Sequence, residues 1–185
     1  MVKQAFGIVS LLDIEKNSIA RLLWHRASEF VGKYRVETPK LPHFSWQVAV
    51  NYQIDGLLKA LEKIATSFHP FKVSISGLGI FPGVQPILYL TIVRDATLNK
   101  IHEMVWEECS NYGIDLSPYY ASDRWIPHIT LVYNQLSPFL LSSIMEEIAS
   151  ESWEGEILID SLAIAYQIGD DSGISHSLTF NPGIK

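Results

Sequence analysis

The sequence has a single cysteine, few charges and no long apolar run, and each scarcity excludes a class of protein. Cys109 alone cannot close a disulfide within the chain, so a reducing compartment, the cytoplasm, is expected. Charged residues make up 18% of the 185, against 48% hydrophobic. That is too little charge for a disordered chain and enough apolar mass for a core. Cations are the scarcer sign: 14 Lys and Arg against 20 Asp and Glu give a net charge of −6. Such a chain lacks the basic surface that displaces counterions from long DNA or RNA, but a small anion in a locally positive pocket is compatible with it. The apolar stretch Ala5 to Leu12 is short, runs into Asp13 and Glu15, and has no small-residue cleavage pattern. It reads as a buried strand, not a leader. No later run reaches the length of a membrane-spanning helix, so no membrane association is expected.

The patterning that is present divides the chain into two similar runs. Phe6 to Leu12 reads as a strand, followed by a helical stretch in which Ile19, Leu22, Leu23, Ala27 and Phe30 share a face, with Gly32 near its end. Pro39 and Pro42 punctuate the chain before a second strand, His43 to Val50. A helix from about Asp55 carries Leu57, Leu58, Leu61, Ile64, Ala65 and Phe68 at helical spacing and stops at His69-Pro70. Phe71 to Ile80 and Ile87 to Val93 read as strands around Phe81-Pro82-Gly83. The second run repeats the plan. A helix is marked by Leu98, Ile101, Val105, Cys109 and Tyr112 and closed by Gly113. A strand follows from about Pro127 to Tyr133, then a helix capped by Ser137-Pro138 with Leu141, Ile144, Met145 and Ile148 on one side. Strands over Ile157 to Ile168 and Ser175 to Phe180, around a turn at Gly169 to Gly173, end the chain. No Pro/Gly/Ser-rich linker separates the runs. The expected fold is therefore α+β: one bilobal domain over residues 1–185, with two pseudo-symmetric α+β halves whose mainly antiparallel sheets face a central cleft.

Chemistry enters with a repeated motif. Pro42-His43-Phe44-Ser45-Trp46 and Pro127-His128-Ile129-Thr130-Leu131 share the order Pro, His, hydrophobic, hydroxyl, hydrophobic, and stand nearly half a chain apart. Alternate strand side chains point to opposite faces. His43 and Ser45 thus share one face while Phe44 and Trp46 share the other, and His128 and Thr130 are set against Ile129 and Leu131 in the same way. Two such strands lining a cleft offer two imidazoles and two hydroxyls to whatever lies between them. One neutral imidazole can take a proton from an incoming water or hydroxyl, and the other, protonated, can give one to a departing ribose oxygen. The hydroxyls can hydrogen-bond the non-bridging oxygens, where charge builds in the transition state. A given histidine meets the hydrophobic-hydroxyl-hydrophobic pattern on the order of 2–3% of the time by composition. One copy among six histidines would mean little; two copies, each after a proline, point to a site.

With these motifs the sequence resembles the 2H phosphoesterase superfamily, which includes RNA 2′-5′ ligase and cyclic nucleotide phosphodiesterase proteins. The Phe6 strand, the stretch Gly77-Leu78-Gly79-Ile80-Phe81, and Arg124-Trp125-Ile126 before the second motif carry the likeness over nearly the whole chain. The resemblance implies a bilobal α+β fold with pseudo-twofold symmetry and functional positions at His43, Ser45, His128 and Thr130. It also implies His43 as acid and His128 as base. Ser45 stands where Thr is commoner, which keeps the donor. The insert from Asp13 to Tyr34 is longer than the family leads one to expect, which loosens assignment to the ligase-like subgroup.

Around the motifs, Arg124 could clamp a second phosphate or a sugar edge, or be a surface loop arginine. Among Tyr119, Tyr120, Trp125 and Tyr133 one ring could stack on a base; Trp125 and Tyr133 are the candidates carried forward, with Trp46 assigned to the core. His25, His69 and His102 read as incidental, and His176 has the wrong spacing. Gly77 and Gly79 lack the helix and lysine of a phosphate loop and mark a bulge or a close backbone approach instead. Neither motif contains an acidic residue or a second histidine, so no metal and no cofactor are expected. The expected partner is a small nucleotide or an RNA 3′ end, for a monomeric protein with no long-DNA binding. The leading activity is metal-independent hydrolysis of a 2′,3′-cyclic or related 2′-5′ phosphodiester. A non-catalytic nucleotide-binding module and 2′-5′ RNA end-joining use the same cleft and stay open, the latter helped by any basic patch around Lys33, Lys40, Arg94 or Arg124.

Overall fold

The computed structural model describes residues 4–12, 22, 25–26, 28–29, 33–34, 39–133 and 136–182. Most of the helical stretch expected between Ile19 and Phe30 lies outside the described residues. Nine strands are found among those described: β1 (Gln4–Leu11), β2 (His43–Tyr52), β3 (Phe71–Phe81), β4 (Ile87–Ile92), β5 (Gly113–Leu116), β6 (His128–Val132), β7 (Glu154–Ile159), β8 (Ser161–Ile168) and β9 (Asp171–Thr179). Helices α1 (Ile54–Ser67), α2 (Ala96–Cys109) and α3 (Pro138–Ile148) accompany them. Local chemistry accounts for the helix ends. The Asp95 carboxylate accepts from the Leu98 N–H at 2.7 Å to start α2, and the Ser137 hydroxyl accepts from Leu140 N–H at 3.1 Å to start α3 with Pro138 in its first turn. α1 ends where Phe68 turns extended ahead of His69-Pro70.

All strand pairs are antiparallel, in the order β7-β3-β4-β6-β2-β1-β8-β9, with β5 added beside β2. The α+β, bilobal architecture expected from the sequence is the one found, but its lobes are not the two halves of the sequence. β1 and β2 pair with β8 and β9 from the end of the chain, while β3 and β4 pair with β6 and β7. Each lobe is a four-stranded set ending at a motif strand, and the lobes join where β2 meets β6. One contact makes that join: Phe44 pairs with Ile129, and both side chains are fully buried.

Three element boundaries differ from the sequence reading. Ile157 to Ile168 is two strands broken at Asp160, which pair with different neighbours; an uninterrupted apolar run carries no mark of that change of partner. The turn between β8 and β9 needs only Gly169 and Asp170, with Gly169 at φ 61°, so β9 begins at Asp171. β5 was not expected, because its four residues alternate too briefly to register, and it is held by Asn51 and Ala49 of β2.

The core takes Phe44, Trp46, Ile129 and Leu131 from the motif strands, Leu57, Leu61 and Ile64 from α1, Leu98, Ile101 and Val105 from α2, and Ile144 and Ile148 from α3. Phe44→Ala removes the largest side chain at the join of the lobes. It should cost about 3–5 kcal/mol, seen as a fall in Tm of roughly 6–20 °C for a chain of this size; a shift below about 2 °C would show that the join contributes little.

Candidate active site

Pairing Phe44 with Ile129 fixes the geometry of the motif faces. Counting one residue outward in each direction sets His43 across from Thr130 and Ser45 across from His128. The four polar side chains form a two-by-two array in which each imidazole adjoins the other strand's hydroxyl. The imidazoles stand on a diagonal, where antiparallel neighbours lie roughly 7–8 Å apart. All four are half-buried, while Phe44, Trp46, Ile129 and Leu131 beneath them are at 0% exposure. The structure thus brings His43, Ser45, His128 and Thr130 together on one face.

Each motif strand then bulges directly after its hydroxyl. Ser45 pairs with Val9 but Gln47 with Ile8, and Thr130 pairs with Tyr89 but Val132 with Leu88. The extra residues, Trp46 and Leu131, end the regular alternation, so Gln47 and Val132 are both buried. The same irregularity at the same place in both lobes confines the polar face to one His-x-hydroxyl unit per strand.

Both histidines are oriented the same way. His43 Nδ1 lies 2.7 Å from the Leu41 carbonyl and His128 Nδ1 lies 2.7 Å from the Ile126 carbonyl. A carbonyl oxygen only accepts, so Nδ1 must carry the proton in each ring. Nε2 is therefore the atom left to exchange protons. Burial holds the His43 pKa below the ordinary 6.5, against the opposing effect of the Leu41 bond. Burial likewise lowers His128, the Ile126 bond opposes, and the charge of His43 lowers it further. The last effect requires the two rings to be close enough to sense each other.

The walls beside the array differ. On the His128 side, Tyr89 stacks on Phe81 with centroids 4.2 Å apart, and both rings contact His128, at 5.1 and 4.8 Å. Gly79 makes room for this: a Cβ there would lie 2.3 Å from the Tyr89 ring. Gly77, at φ 126°, sits in the register shift between Ile75 and Leu78. The two glycines are a close approach and a bulge, as expected. Phe81 and Tyr89 were not among the sequence candidates; an aromatic paired with a strand glycine was the available signal. On the His43 side the corresponding neighbours are aliphatic, Leu11 pairing with His43 and Val9 with Ser45.

The loop before the second motif is a structural support. Trp125 is 2% exposed, stacked on His102 at 3.9 Å and 11° and on Trp46 at 5.5 Å and 24°, and its Nε1–H donates to the Ser45 carbonyl at 2.9 Å. It cannot offer a face to a base, which corrects its assignment as a stacking residue. Its ring instead backs the first motif. His102 is no incidental helix histidine either: fully buried, it bonds the Tyr120 carbonyl through Nε2 at 3.0 Å. Tyr120 shares a hydrogen bond with the Ser45 hydroxyl, while burial raises its own pKa. Arg94 is also committed, to the carbonyls of Trp125 at 3.0 Å and Ser122 at 2.7 Å and to the Asn99 side chain, and Lys33 bonds Glu147 at 2.6 Å. Arg94 is thereby held against the loop and Lys33 against an acid. Arg124 is exposed in the loop and Tyr133 is half-buried just beyond β6. Among the described residues no three His, Cys, Asp or Glu side chains gather as a metal would require, and no helix is long and apolar enough to cross a membrane.

The sequence model of the 2′-5′ RNA ligase superfamily matches residues 18–171. The chain belongs to this superfamily of two-histidine phosphoesterases. Its fold is shared with Escherichia coli LigT solved with 3′-AMP, at TM-score 0.56 and 11% identity over 96% of this chain and 98% of that one. LigT solved with ATP gives TM-score 0.56 and 13% identity over 96% and 98%. Kluyveromyces marxianus Usb1 gives TM-score 0.50 and 12% identity over 96% and 98%. The superfamily match places the motif strands of this chain within a phosphoesterase fold; at these identities the individual structures speak for the fold alone.

Two measurements probe the supports of the site. Gly79→Val should displace Tyr89 and lower stability by about 1–3 kcal/mol through overpacking; an unchanged Tm would show that the Tyr89 ring is not held over this strand. His102, buried, has its pKa lowered to about 4. The unfolded chain takes up this proton near 6.5 and the folded one only near 4, so His102 costs no stability above pH 6.5. It destabilises progressively as pH falls between those values, by up to about 3 kcal/mol. Chemical denaturation of His102→Gln between pH 7 and 4 should show a shallower loss than the parent, and parallel curves would refute the assignment.

Proposed function

We propose that the chain is a metal-independent phosphodiesterase that opens a nucleoside 2′,3′-cyclic phosphate or a related 2′-5′ phosphodiester by general acid–base catalysis between His43 and His128. The supporting observation is the matched orientation of two imidazoles, each with Nδ1–H on a carbonyl two residues upstream, on strands whose register sets each histidine across from the other motif's hydroxyl residue. In this reading the phosphate sits over the array. Neutral His128 takes a proton from water through Nε2 as the water oxygen bonds to phosphorus. His43, protonated at Nε2, gives its proton to the ribose oxygen as the P–O bond breaks. One water is consumed, a monoester and a free hydroxyl result, and the proton gained by His128 returns to His43 through solvent. Ser45 and Thr130 donate to the non-bridging oxygens. Tyr120 holds the Ser45 hydroxyl in place, and Phe81 and Tyr89 offer an apolar wall to the base. Arg124 and Tyr133 are the outer contacts proposed for substrate. The related LigT structures were solved with nucleotides, 3′-AMP, ATP and NADP+ among them, which supports a nucleotide ligand here.

The direction proposed is hydrolysis, because water is in excess and a net charge of −6 disfavours holding two long RNA ends together. The cytoplasm is the proposed compartment. Both histidine pKa values lie below 6.5 in the free protein, so the form with one imidazole protonated is populated on the acid side of neutrality. An anionic phosphodiester between the rings stabilises that proton and raises the acid's pKa.

A screen of the four 2′,3′-cyclic nucleotides with EDTA present should therefore show turnover. Either His→Ala change should remove about 10²-fold or more of it while far-UV spectra stay native. Turnover abolished by EDTA, or retained by either variant, would sink the mechanism. The profile of kcat/KM against pH should be a bell with its maximum below about 6.5, while the alkaline limb of kcat lies at higher pH. A kcat/KM that climbs to a plateau above pH 8 would contradict the assignment.

A further inference from the structure

A cavity of about 330 Å³ opens on the His43 side of the array, lined among others by Leu11, Leu41, Asp160, Ser161, Ser177 and Thr179. Strand register puts it on the reactive face. Ser45 pairs with Val9, Val9 with Ala163 and Ala163 with Ser177, so these four side chains share one face across four strands. Leu11 pairs with His43, and Thr179 pairs with Ser161 two residues along from that row. The cavity starts at the strand next to His43 and ends at β9, roughly 14 Å from Ser45 at the usual spacing of strands. A group bonded to a phosphate over the array, on the side of the acid, would lie there.

The lining states what kind of group it takes. Among the described residues lining it, three bear hydroxyls, Asp160 is the only charged one, and none is Lys, Arg or His. A second phosphate would meet a carboxylate with no cation to offset it. A sugar suits it: hydroxyls exchange hydrogen bonds with Ser161, Ser177 and Thr179, a carboxylate accepts two adjacent O–H groups at once, and the C–H face of a sugar packs on Leu11 and Leu41. The volume is at the small end of ligand pockets, room for one sugar or nucleoside and not for an oligomer. We infer that this cavity is a subsite for the leaving alcohol, selecting a neutral sugar with a free vicinal diol and no further phosphate.

The inference rests on the two-histidine reading for its orientation, with His43 as the acid, but the cavity can be tested without turnover. Calorimetric titration with a neutral ribonucleoside and its 2′,3′-dideoxy analogue should show the diol binding and the dideoxy analogue weaker by about tenfold. Asp160→Asn should erase the preference by weakening the diol about tenfold, and Ser177→Ala should weaken it severalfold. In turnover, Asp160→Asn should raise KM for a dinucleoside monophosphate with a free terminal diol and leave a mononucleoside 2′,3′-cyclic phosphate unchanged, since that substrate has no free vicinal diol for the carboxylate to hold. Equal binding of the two ligands, or a preference that survives Asp160→Asn, overturns the subsite even if catalysis by the histidines is intact. Loss of turnover in the histidine variants bears only on the mechanism.

Discussion

The pairing of Phe44 with Ile129 is the constraint on which the rest depends. Both rows of the motif are defined by it: with these two side chains fully buried, their neighbours must face outward, and the antiparallel count puts each histidine beside the other strand's hydroxyl. A slip of one residue would send the slipped strand's imidazole and hydroxyl into the apolar layer beneath. That layer resists slipping because it is filled by large rings. Trp46 packs on Phe44 at 4.7 Å and on Trp125 at 5.5 Å, and its Nε1–H is satisfied by the Ser10 hydroxyl at 2.8 Å, which in turn donates to the Ser161 carbonyl at 2.7 Å. Register, and with it the site, is held by packing and by the satisfaction of a few buried polar groups.

The pseudo-symmetry of the lobes supplies the chemistry, and its breaking supplies direction. Two strands with the same bulge, the same carbonyl anchor on Nδ1 and the same hydroxyl have no intrinsic acid or base. What differs is their surroundings. Tyr89 and Phe81 press on His128, whereas Val9 and Leu11 flank the first motif. Tyr120 and the Trp125 indole reach Ser45 and its carbonyl. An aromatic wall on one side and a hydroxyl-lined cavity on the other give a bound phosphodiester two unlike ends to satisfy.

Much of this was legible in the sequence, and the exceptions have physical causes. Alternation in Pro42 to Trp46 and Pro127 to Leu131 determines which side chains are buried, because a strand's period leaves no choice once one face is apolar. Capping at Ser137 and the stop at His69-Pro70 are likewise local. The exchange of β3–β4 and β8–β9 between lobes was not legible, since strand partners are chosen by long-range packing that no local pattern encodes. Trp125 and Arg94 were misread for a related reason. Each is a polar-capable side chain in or beside a loop, and its destination, inward under Ser45 or across to the Ser122 and Trp125 carbonyls, is set by the strands that enclose the loop. Gly79 carried the trace of Tyr89, but only the paired strand shows which ring needs the space.

The burial that makes the array specific also sets its electrostatics. Desolvation lowers both imidazoles, and each disfavours a second charge beside it, so a doubly protonated pair is suppressed and the empty site tends toward neutrality. Two of the described cations are engaged elsewhere, Arg94 with the loop carbonyls and Lys33 with Glu147. In the proposed mechanism the positive charge that meets the phosphate within the array is the catalytic proton itself, with Arg124 at the rim. Binding and protonation become one event, because an anion over the rings stabilises the imidazolium and the imidazolium stabilises the anion by the same free energy. A neutral ligand in the array would receive no such assistance. In that mechanism charge selection falls to the histidines, and the discrimination among the groups attached to the phosphate falls to the two unlike walls.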